Sequence, residues 1–268
     1  MRHESAAQPV DNSALRILTL VSAGAHPTSG RTRRAEQDAR AVELGLQLAG
    51  QTLEVLHAGD PQEPALRAYM GMGLDALHVL EQPAGSDVVP ALLDYLRHHP
   101  AQIVLTGSQA ETGEGSGMLP FLLAENLGWP LVSGLAEVES LENGMALVLQ
   151  ALPRGQRRRL KVRLPFLATV DNAGPKPRQS AYGPAQRGAL EVEHVETVTD
   201  ELLTSDALQP AKPRPKRLKV VKAKSGADRM KAATAKASGG GGQVLKGMTP
   251  EDGAAAILKL LIEEGVVR

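Results

Sequence analysis

Short apolar runs alternate with longer amphipathic segments over the first half of the chain. The runs at 15–21 (LRILTLV), 52–57 (TLEVLH) and 101–106 (AQIVLT) have the length and composition of buried strands. Between them, residues 33–48 and 88–98 carry apolar side chains at helical spacing. Strands that alternate with helices in this way are typical of βαβ units. The pattern therefore predicts an α/β domain built on an open parallel sheet.

Weaker signals complete this domain. Further helices are predicted over 63–72 and 118–127, and further strands over 77–80 and 165–170. Asp87 precedes the helix predicted over 88–98 and is its candidate N-cap. These elements keep the alternation of strand and helix, so they favour one continuous sheet.

The pattern changes beyond residue 130. Alternating polar and apolar positions at 131–139, 145–152 and 158–164 surround Glu142-Asn143-Gly144 and Pro153-Arg154-Gly155. Turn residues of these types between alternating segments are typical of hairpins. An antiparallel extension is therefore predicted to follow the parallel core.

The composition differs again in the last third of the chain. Residues 171–187 are rich in Pro, Gly and basic residues and predict a long irregular surface loop. Thr249 is a candidate N-cap for a helix over 253–264 with an apolar stripe (Ile257, Leu258, Leu261, Ile262). The predicted organisation is a disordered N-terminus (1–14), an α/β domain (15–204), a basic flexible linker (205–243) and a C-terminal helical arm (244–268).

Composition narrows the classes of function. The net charge is +0 and aromatic residues make up 2%, so neither a basic field nor stacking rings favour nucleic acid as a partner. Cysteine is absent and the histidines lack the spacing of a metal motif, so no metal site is expected. The chain shows neither a signal peptide nor an apolar run of about 20 residues, so we expect a cytoplasmic protein with no membrane insertion.

The segment best suited to binding a ligand is TGSQAETGEGSGM at 106–118. It follows a predicted strand and opens a predicted helix, where glycines permit close approach of the backbone and free N–H groups attract anions. In an open parallel sheet, ligands bind beyond the carboxyl ends of the strands. The segment predicts a cradle for the phosphate or ribose of a nucleotide, and a glycine-rich connection without a ligand explains the pattern equally well.

Several catalytic classes are excluded by motif. The glycine-rich segment is not followed by Gly-Lys-Ser/Thr, so it is not a Walker A loop. We find neither a nucleophile elbow nor paired carboxylates suited to acid and base roles. No catalytic residue is predicted, and a stand-alone adenine-nucleotide-binding protein of the stress or signalling kind is one interpretation of the residues.

Five blocks of the sequence, in the same order, resemble the beta subunits of electron transfer flavoproteins. The blocks are Asp38–Glu43 (DARAVE), Leu66–Asp75 (LRAYMGMGLD), Ile103–Leu119 with Leu127–Pro130 (LGWP), Leu164–Arg178 (LPFLATVDNAGPKPR) and Gly247–Val267. The resemblance covers most of 15–195 and the last segment of the chain.

The resemblance implies both a fold and a function. The family fold is a parallel α/β domain of the adenine nucleotide alpha hydrolase-like type. The family function is that of a non-catalytic electron carrier, a heterodimer in which an alpha subunit holds most of the FAD. The beta subunit holds AMP in the common type and a second FAD in the electron-bifurcating type. Electrons pass from a flavin-dependent dehydrogenase through FAD to a quinone oxidoreductase.

The resemblance also implies site residues, position by position. Those expected to bind nucleotide are Ser22, Ala23, Ala58, Gly107, Ser108, Gln109, Thr112, Gly113, Gly115, Ser116, Gly117 and Met118. The family's partner-recognition loop corresponds to Asp171–Gly188, with Pro177, Arg178, Tyr182, Gln186 and Arg187 as expected contacts. The leucine that anchors this loop in a dehydrogenase pocket aligns with Tyr182.

The chain departs from the family pattern at both places. The nucleotide loop is shortened to Thr112–Ser116, and Ser22-Ala23-Gly24 replaces the family's K-R-V segment. AMP, a second FAD and no nucleotide at all are therefore the alternatives for this site. Tyr182 is bulkier than leucine and needs a hydrogen-bond partner when buried, which predicts a specialised dehydrogenase partner.

Overall fold

The computed structural model describes residues 15–113, 115–201, 225–227, 230 and 247–263. The chain divides into two compact units, Met1–Leu208 and Gln209–Arg268. The predicted disordered N-terminus (1–14) and almost all of the predicted linker (205–243) lie outside the described residues.

Among the described residues, the first unit contains the strands and most of the helices. In chain order the elements up to the middle of the unit are β1 (Ile17–Leu20), β2 (Ala23–Ala25), β3 (Thr32–Arg34), α1 (Glu36–Ala49), β4 (Glu54–Gly59), α2 (Ala65–Met70), β5 (Ala76–Glu81), β6 (Ser86–Asp87), α3 (Val88–His98) and β7 (Ile103–Gly107). They are followed by α4 (Leu119–Leu127), β8 (Leu131–Val132), β9 (Leu135–Glu142), β10 (Met145–Ala151), β11 (Arg157–Arg163), β12 (Phe166–Val170), α5 (Tyr182–Arg187), β13 (Ala189–His194) and β14 (Val198–Thr199). Two short 3-10 turns lie at Gly50–Thr52 and Pro153–Gly155.

A seven-stranded parallel sheet forms the centre of this unit, in the order β13-β5-β4-β1-β7-β12-β8. Its inner strands are buried on both faces, and successive residues contribute to opposite sides, as Ile17 and Leu18 do in β1. The helices α1 and α2 pack on one face with the apolar side of β9–β11, and α3 and α4 pack on the other. Sheets covered on both faces need strands that are apolar throughout, which is why the apolar runs located them correctly.

The order in which successive strands are added to this sheet reverses at β1. It proceeds from β1 to β4 and β5 on one side and then returns to β7 on the other side. Such a reversal leaves a crevice beyond the carboxyl ends of the two central strands. We call the space beyond β1 and β7 the switch-point crevice.

The antiparallel extension is confirmed as a three-stranded sheet in the order β11-β10-β9. The turn between β9 and β10 places Asn143 at φ 51° and Gly144 at φ 73°. Two consecutive residues with positive φ are what a tight hairpin turn requires, and Asn and Gly adopt this conformation readily. The predicted fold class, an open parallel sheet with an antiparallel extension and a C-terminal helix, is therefore confirmed.

Two local predictions in this unit were wrong or incomplete, and a third was confirmed. The predicted helix 33–48 begins at Glu36, because Thr32–Arg34 pair with Ala23–Ala25 in a small antiparallel hairpin. The loop predicted as irregular over 171–187 ends in the six-residue helix α5. Asp87 is the N-cap of α3 as predicted, since its carboxylate accepts from the N–H of Val89 at 2.9 Å.

The described part of the second unit contains a helix, α6 (Pro250–Glu263). It begins three residues before the predicted start at Gly253. The hydroxyl oxygen of Thr249 accepts from the N–H of Asp252 at 3.3 Å, so Thr249 caps this helix as predicted. None of the helices in the described ranges is long and apolar enough to cross a membrane.

Candidate functional site

The switch-point crevice collects the residues that the resemblance assigned to a nucleotide. Ser22 and Ala23 follow β1, Gly107 ends β7, and the loop 108–118 leads from β7 into α4. Ala58 lies near the end of β4, the other neighbour of β1. The hydroxyl of Thr112 donates to the carbonyl of Ala23 at 2.8 Å, which joins the two loops directly.

Asp38, in the first turn of α1, binds both strand ends. Its carboxylate accepts from the N–H of Ser22 at 2.7 Å, from the Ser22 hydroxyl at 2.6 Å and from the N–H of Gly107 at 2.9 Å. Burial raises the pKa of Asp38 to about 6, opposed by the bonds from Ser22 and Gly107 and assisted by the nearby Glu111. A Cβ at Gly107 would lie 2.2 Å from the Asp38 carboxylate, so this close approach requires glycine.

Gln37, the preceding residue, binds the start of the β7–α4 loop. Its side-chain oxygen accepts from the N–H and the hydroxyl of Ser108 and from the N–H of Gln109, the backbone bonds measuring 3.0 and 3.2 Å. One amide oxygen therefore satisfies several donors of the predicted cradle.

Glu111 binds the amino end of α1. Its carboxylate accepts from the N–H of Glu36 at 2.8 Å and from the Arg33 guanidinium at 3.1 Å. A Cβ at Gly24 would come within 2.7 Å of the same carboxylate, so the hairpin β2–β3 presses against it. A carboxylate at a helix amino end is stabilised by the helix dipole.

The second half of the loop is held mainly by its own atoms. Gly113, Gly115 and Gly117 all have positive φ, and a Cβ at Gly117 would lie 2.9 Å from the carbonyl oxygen of Ser108. The Gln109 amide donates to the carbonyl of Gly115, and the Ser116 hydroxyl accepts from the N–H of Met118. The loop thus folds back on itself before α4 begins.

Two buried polar residues, Tyr69 and His57, lie behind the crevice, and sequence reasoning did not find Tyr69. The Tyr69 hydroxyl donates to the carbonyl of Ser22 at 2.9 Å and accepts from the N–H of Ala35 at 2.8 Å, and burial holds the pKa of Tyr69 well above its usual range. The Nδ1 of His57 lies 2.9 Å from the carbonyl oxygen of Val21. Burial lowers the pKa of His57, which favours the neutral ring as a donor to that carbonyl.

A nucleotide phosphate does not fit the first half of the predicted cradle. Phosphates bind free N–H groups at strand and helix ends. Here the N–H groups of Ser22, Gly107, Ser108 and Gln109 donate to Asp38 and Gln37, and the N–H of Glu36 donates to Glu111. AMP could bind these donors only by displacing the side chains of Asp38, Gln37 and Glu111. We therefore assign AMP no role at these donors.

The residues 171–188, which we call the recognition segment, are fixed at their base by α1. Arg178 donates to the Glu43 carboxylate through its backbone N–H at 3.1 Å and its guanidinium at 2.8 and 3.0 Å. These bonds lower the pKa of Glu43 and raise that of Arg178. Arg34 donates to the carbonyl of Arg178 and Arg40 to that of Gly174, at 2.8 and 3.0 Å.

The far end of the recognition segment rests on α2. The Arg67 guanidinium donates to the carbonyls of Ala185 and Gly188, the latter at 2.9 Å, and so caps α5. The N–H of Ala181 donates to the carbonyl of Gly71 at 2.8 Å. Tyr182 projects from this frame with 81% of its surface exposed.

The five predicted partner contacts therefore differ in their surroundings. Tyr182, Gln186 and Arg187 are exposed, Pro177 is half-buried, and Arg178 is bonded to Glu43. Within the described ranges, no group of three or more His, Asp or Glu side chains could hold a metal ion.

Comparison with known proteins identifies the family. The family described as "Electron transfer flavoprotein domain" matches residues 30–199. The chain is 59% identical over 271 aligned positions to "Electron transfer flavoprotein subunit beta" of Chromohalobacter salexigens, with 100% of both chains covered. It is 30% identical over 148 residues to "Putative electron transfer flavoprotein subunit YgcR" of Escherichia coli, covering 52% of this chain and 56% of that protein. The chain therefore belongs to the electron transfer flavoprotein family, among its beta subunits.

Proposed function

We propose that this chain is the non-catalytic half of a heterodimer that carries electrons in the cytoplasm. Its partner is a larger alpha subunit that holds most of a shared FAD. The FAD accepts electrons from a flavin-dependent dehydrogenase and passes them to a quinone oxidoreductase. The chain itself supports the flavin-bearing subunit and binds the electron donor.

The observation that carries this proposal is the geometry of the recognition segment. Its base is fixed to β3 by Arg34 and to α1 by Arg40 and Glu43, and its end is capped by Arg67. The aromatic side chain of Tyr182 is left exposed on this rigid support. Exposed aromatic residues on preorganised backbone are typical of the few side chains that dominate a protein interface.

A second surface for a partner is the apolar side of α6. Ile257, Leu258 and Ile262 are each more than half exposed, and the helix carries charged residues at Glu251, Asp252 and Lys259. A short amphipathic helix is marginal in water without something to pack on. This supports a role for the C-terminal arm in binding the alpha subunit.

The proposal is tested by co-expressing the chain with an electron transfer flavoprotein alpha subunit from the same organism. We expect a yellow heterodimer that elutes as one species and whose FAD is bleached by dithionite. The chain expressed alone is the control and should be colourless.

Two outcomes would contradict the proposal. One is the failure of the two chains to co-elute, with no flavin in either. The other is a homodimer of this chain that binds ATP without flavin, which would instead support a stand-alone nucleotide-binding protein of the stress or signalling kind.

A further inference from the structure

We propose that the Glu111 carboxylate is a built-in anion that takes the place of a nucleotide phosphate in the switch-point crevice. On this inference the assembled protein carries no AMP. The inference rests on the proposed function, because it concerns the heterodimer. It states that this subunit supports the flavin-bearing subunit without binding a second nucleotide.

The first argument is the position of the Glu111 carboxylate. It accepts from the N–H of Glu36, the first residue of α1, at 2.8 Å. The amino end of a helix attracts anions through its unpaired N–H groups and its dipole. The Arg33 guanidinium at 3.1 Å supplies the positive charge that a phosphate would also need. An anion site is thus present, and the chain's own carboxylate fills it.

The second argument is that the neighbouring donors are satisfied in the same way. The N–H groups of Ser22 and Gly107 donate to Asp38, and those of Ser108 and Gln109 donate to Gln37. The Gly107 bond is buried and the Ser22 and Ser108 bonds are part-buried, so removing these acceptors without replacing each bond would leave poorly hydrated N–H groups unpaired. A phosphate would have to replace all of them together.

The third argument is electrostatic. Asp38 is buried at the bottom of the crevice, and Glu111 lies close enough to raise its pKa. A phosphate brought to the same place would face two carboxylates at short range. Like charges repel, and the repulsion from the buried Asp38 carboxylate is the least screened by water.

The fourth argument is space. A single added carbon at Gly24 would lie 2.7 Å from the Glu111 carboxylate and 2.8 Å from the Cα of Ala35. The bond from Thr112 to Ala23 holds the loop against the hairpin β2–β3 on the same side. The carboxylate therefore fills the gap between the hairpin and α1.

The experiment measures nucleotide in the yellow heterodimer. The protein is heat-denatured and the released nucleotides are separated by chromatography, and AMP and inorganic phosphate are titrated into intact samples by calorimetry. For the wild type we expect FAD without AMP and no heat of binding from either probe.

The decisive variant is Glu111→Ala, which uncovers the N–H of Glu36 and the Arg33 guanidinium. We expect its affinity for inorganic phosphate and for AMP to rise by about tenfold or more. The matched control is Glu36→Gln, which removes a half-exposed carboxylate from the same helix end without opening the anion site. It should behave as the wild type.

Glu111→Gln covers the case in which the alanine variant does not fold. Its amide oxygen can still accept from the N–H of Glu36, but Arg33 loses its charged partner. We expect this variant to gain thermal stability from added inorganic phosphate, whereas the wild type should not.

Stoichiometric AMP in the wild-type heterodimer would overturn the inference. So would a folded Glu111→Ala heterodimer that binds neither probe, or a Glu111→Gln heterodimer that phosphate does not stabilise. The flavin absorbance of the same samples reports on the proposed function separately. A yellow heterodimer that contains AMP defeats this inference alone, and a colourless chain without a partner defeats the proposed function.

Discussion

Helix α1 supports two regions that use polar groups in opposite ways. In the switch-point crevice, Gln37 and Asp38 accept hydrogen bonds from both strand ends, and the donors of the crevice are directed inward. In the recognition segment, Glu43 fixes Arg178 while Tyr182 stays exposed. In the crevice, polar side chains therefore connect the ends of two strands, whereas the recognition segment has the features of a binding surface. Glycines beyond a parallel sheet do not by themselves make a ligand site.

The largest expected effect on stability comes from removing the Asp38 hydrogen bonds that connect the two strand ends. Asp38→Asn replaces one acceptor oxygen by an NH2 group that faces donors from Ser22 or Gly107. Because this leaves buried N–H groups unpaired, we expect the free energy of unfolding to fall by about 3 kcal/mol. Denaturant unfolding measures the change.

The control for this variant is Asp94→Asn on the exposed side of α3, where 75% of the side chain is in solvent. It should change the free energy of unfolding by less than about 0.5 kcal/mol. Equal effects at the two positions would mean that Asp38 does not join the strand ends.

The next effect is a dependence of stability on pH. The pKa of Asp38 is raised from 3.8 to about 6 in the folded protein, so the fold favours its protonated form. The contribution of protonated Asp38 to the free energy of unfolding is fully present below pH 3.8 and is lost as the pH rises to about 6. We expect the wild type to lose about 2 kcal/mol relative to Asp38→Asn over this window, with no further relative change above it.

The comparison with Asp38→Asn isolates this titration, because the two chains share their other ionisable groups. Glu43, whose pKa is lowered, acts with the opposite sign in both. Unfolding is followed by denaturant at fixed pH values. A flat difference between the chains over the window would show that Asp38 titrates normally.

The recognition segment is tested by Tyr182→Ala. Truncating a central aromatic residue of an interface costs about 1–2 kcal/mol or more, so reduction of the flavin by the cognate dehydrogenase should slow by about tenfold at low donor concentration. Flavin content and thermal stability should not change, because Tyr182 is 81% exposed. Stopped-flow absorbance of the flavin measures the rate.

Gln179→Ala, an exposed neighbour in the same segment, is the control and should keep the rate within about twofold. Loss of flavin in Tyr182→Ala would refute the assignment of the segment to donor binding. It would place this side chain in the support of the flavin instead.

The smallest effect is expected at the base of the segment. Glu43→Gln removes the charge that holds the Arg178 guanidinium while keeping the size of the side chain. We expect a loss of about 1 kcal/mol in the stability of this contact and faster amide exchange at Arg178 and Ala181. Hydrogen exchange measures it, with Glu54→Gln at the distant Arg16 pair as control. Unchanged exchange at Arg178 would show that other bonds suffice to hold the segment.

The inner strands of the parallel sheet could be predicted from the sequence because they are buried on both faces and so appear as apolar runs, whereas the exposed edge strand β13 was not predicted. The turn at Asn143-Gly144 could be predicted because its backbone conformation selects those residue types. The hairpin β2–β3 and the helix α5 could not be predicted, because each is too short to show an apolar periodicity and depends on contacts with other parts of the fold.

The crevice shows a second limit of sequence reasoning. The glycine-rich loop and its position were predicted, but its acceptors were not. Gln37 lies 71 positions before Ser108 in the chain, and apolar periodicity says nothing about a polar residue on the inner face of α1. A carboxylate at position 38, in the first turn of a helix that packs on the sheet, is the signal that could have indicated a buried bond.

Arg67 fixes the C-terminal end of α5 from a neighbouring helix, with bonds to main-chain oxygens only. The backbone conformation around residue 182 is consequently determined by a neighbouring helix and does not depend on the side chain at that position. Under the proposed function, a substitution at position 182 alone would change which electron donor binds, with no compensating change elsewhere. In a lineage that acquires new electron donors, this residue would then diverge while the rest of the chain is conserved.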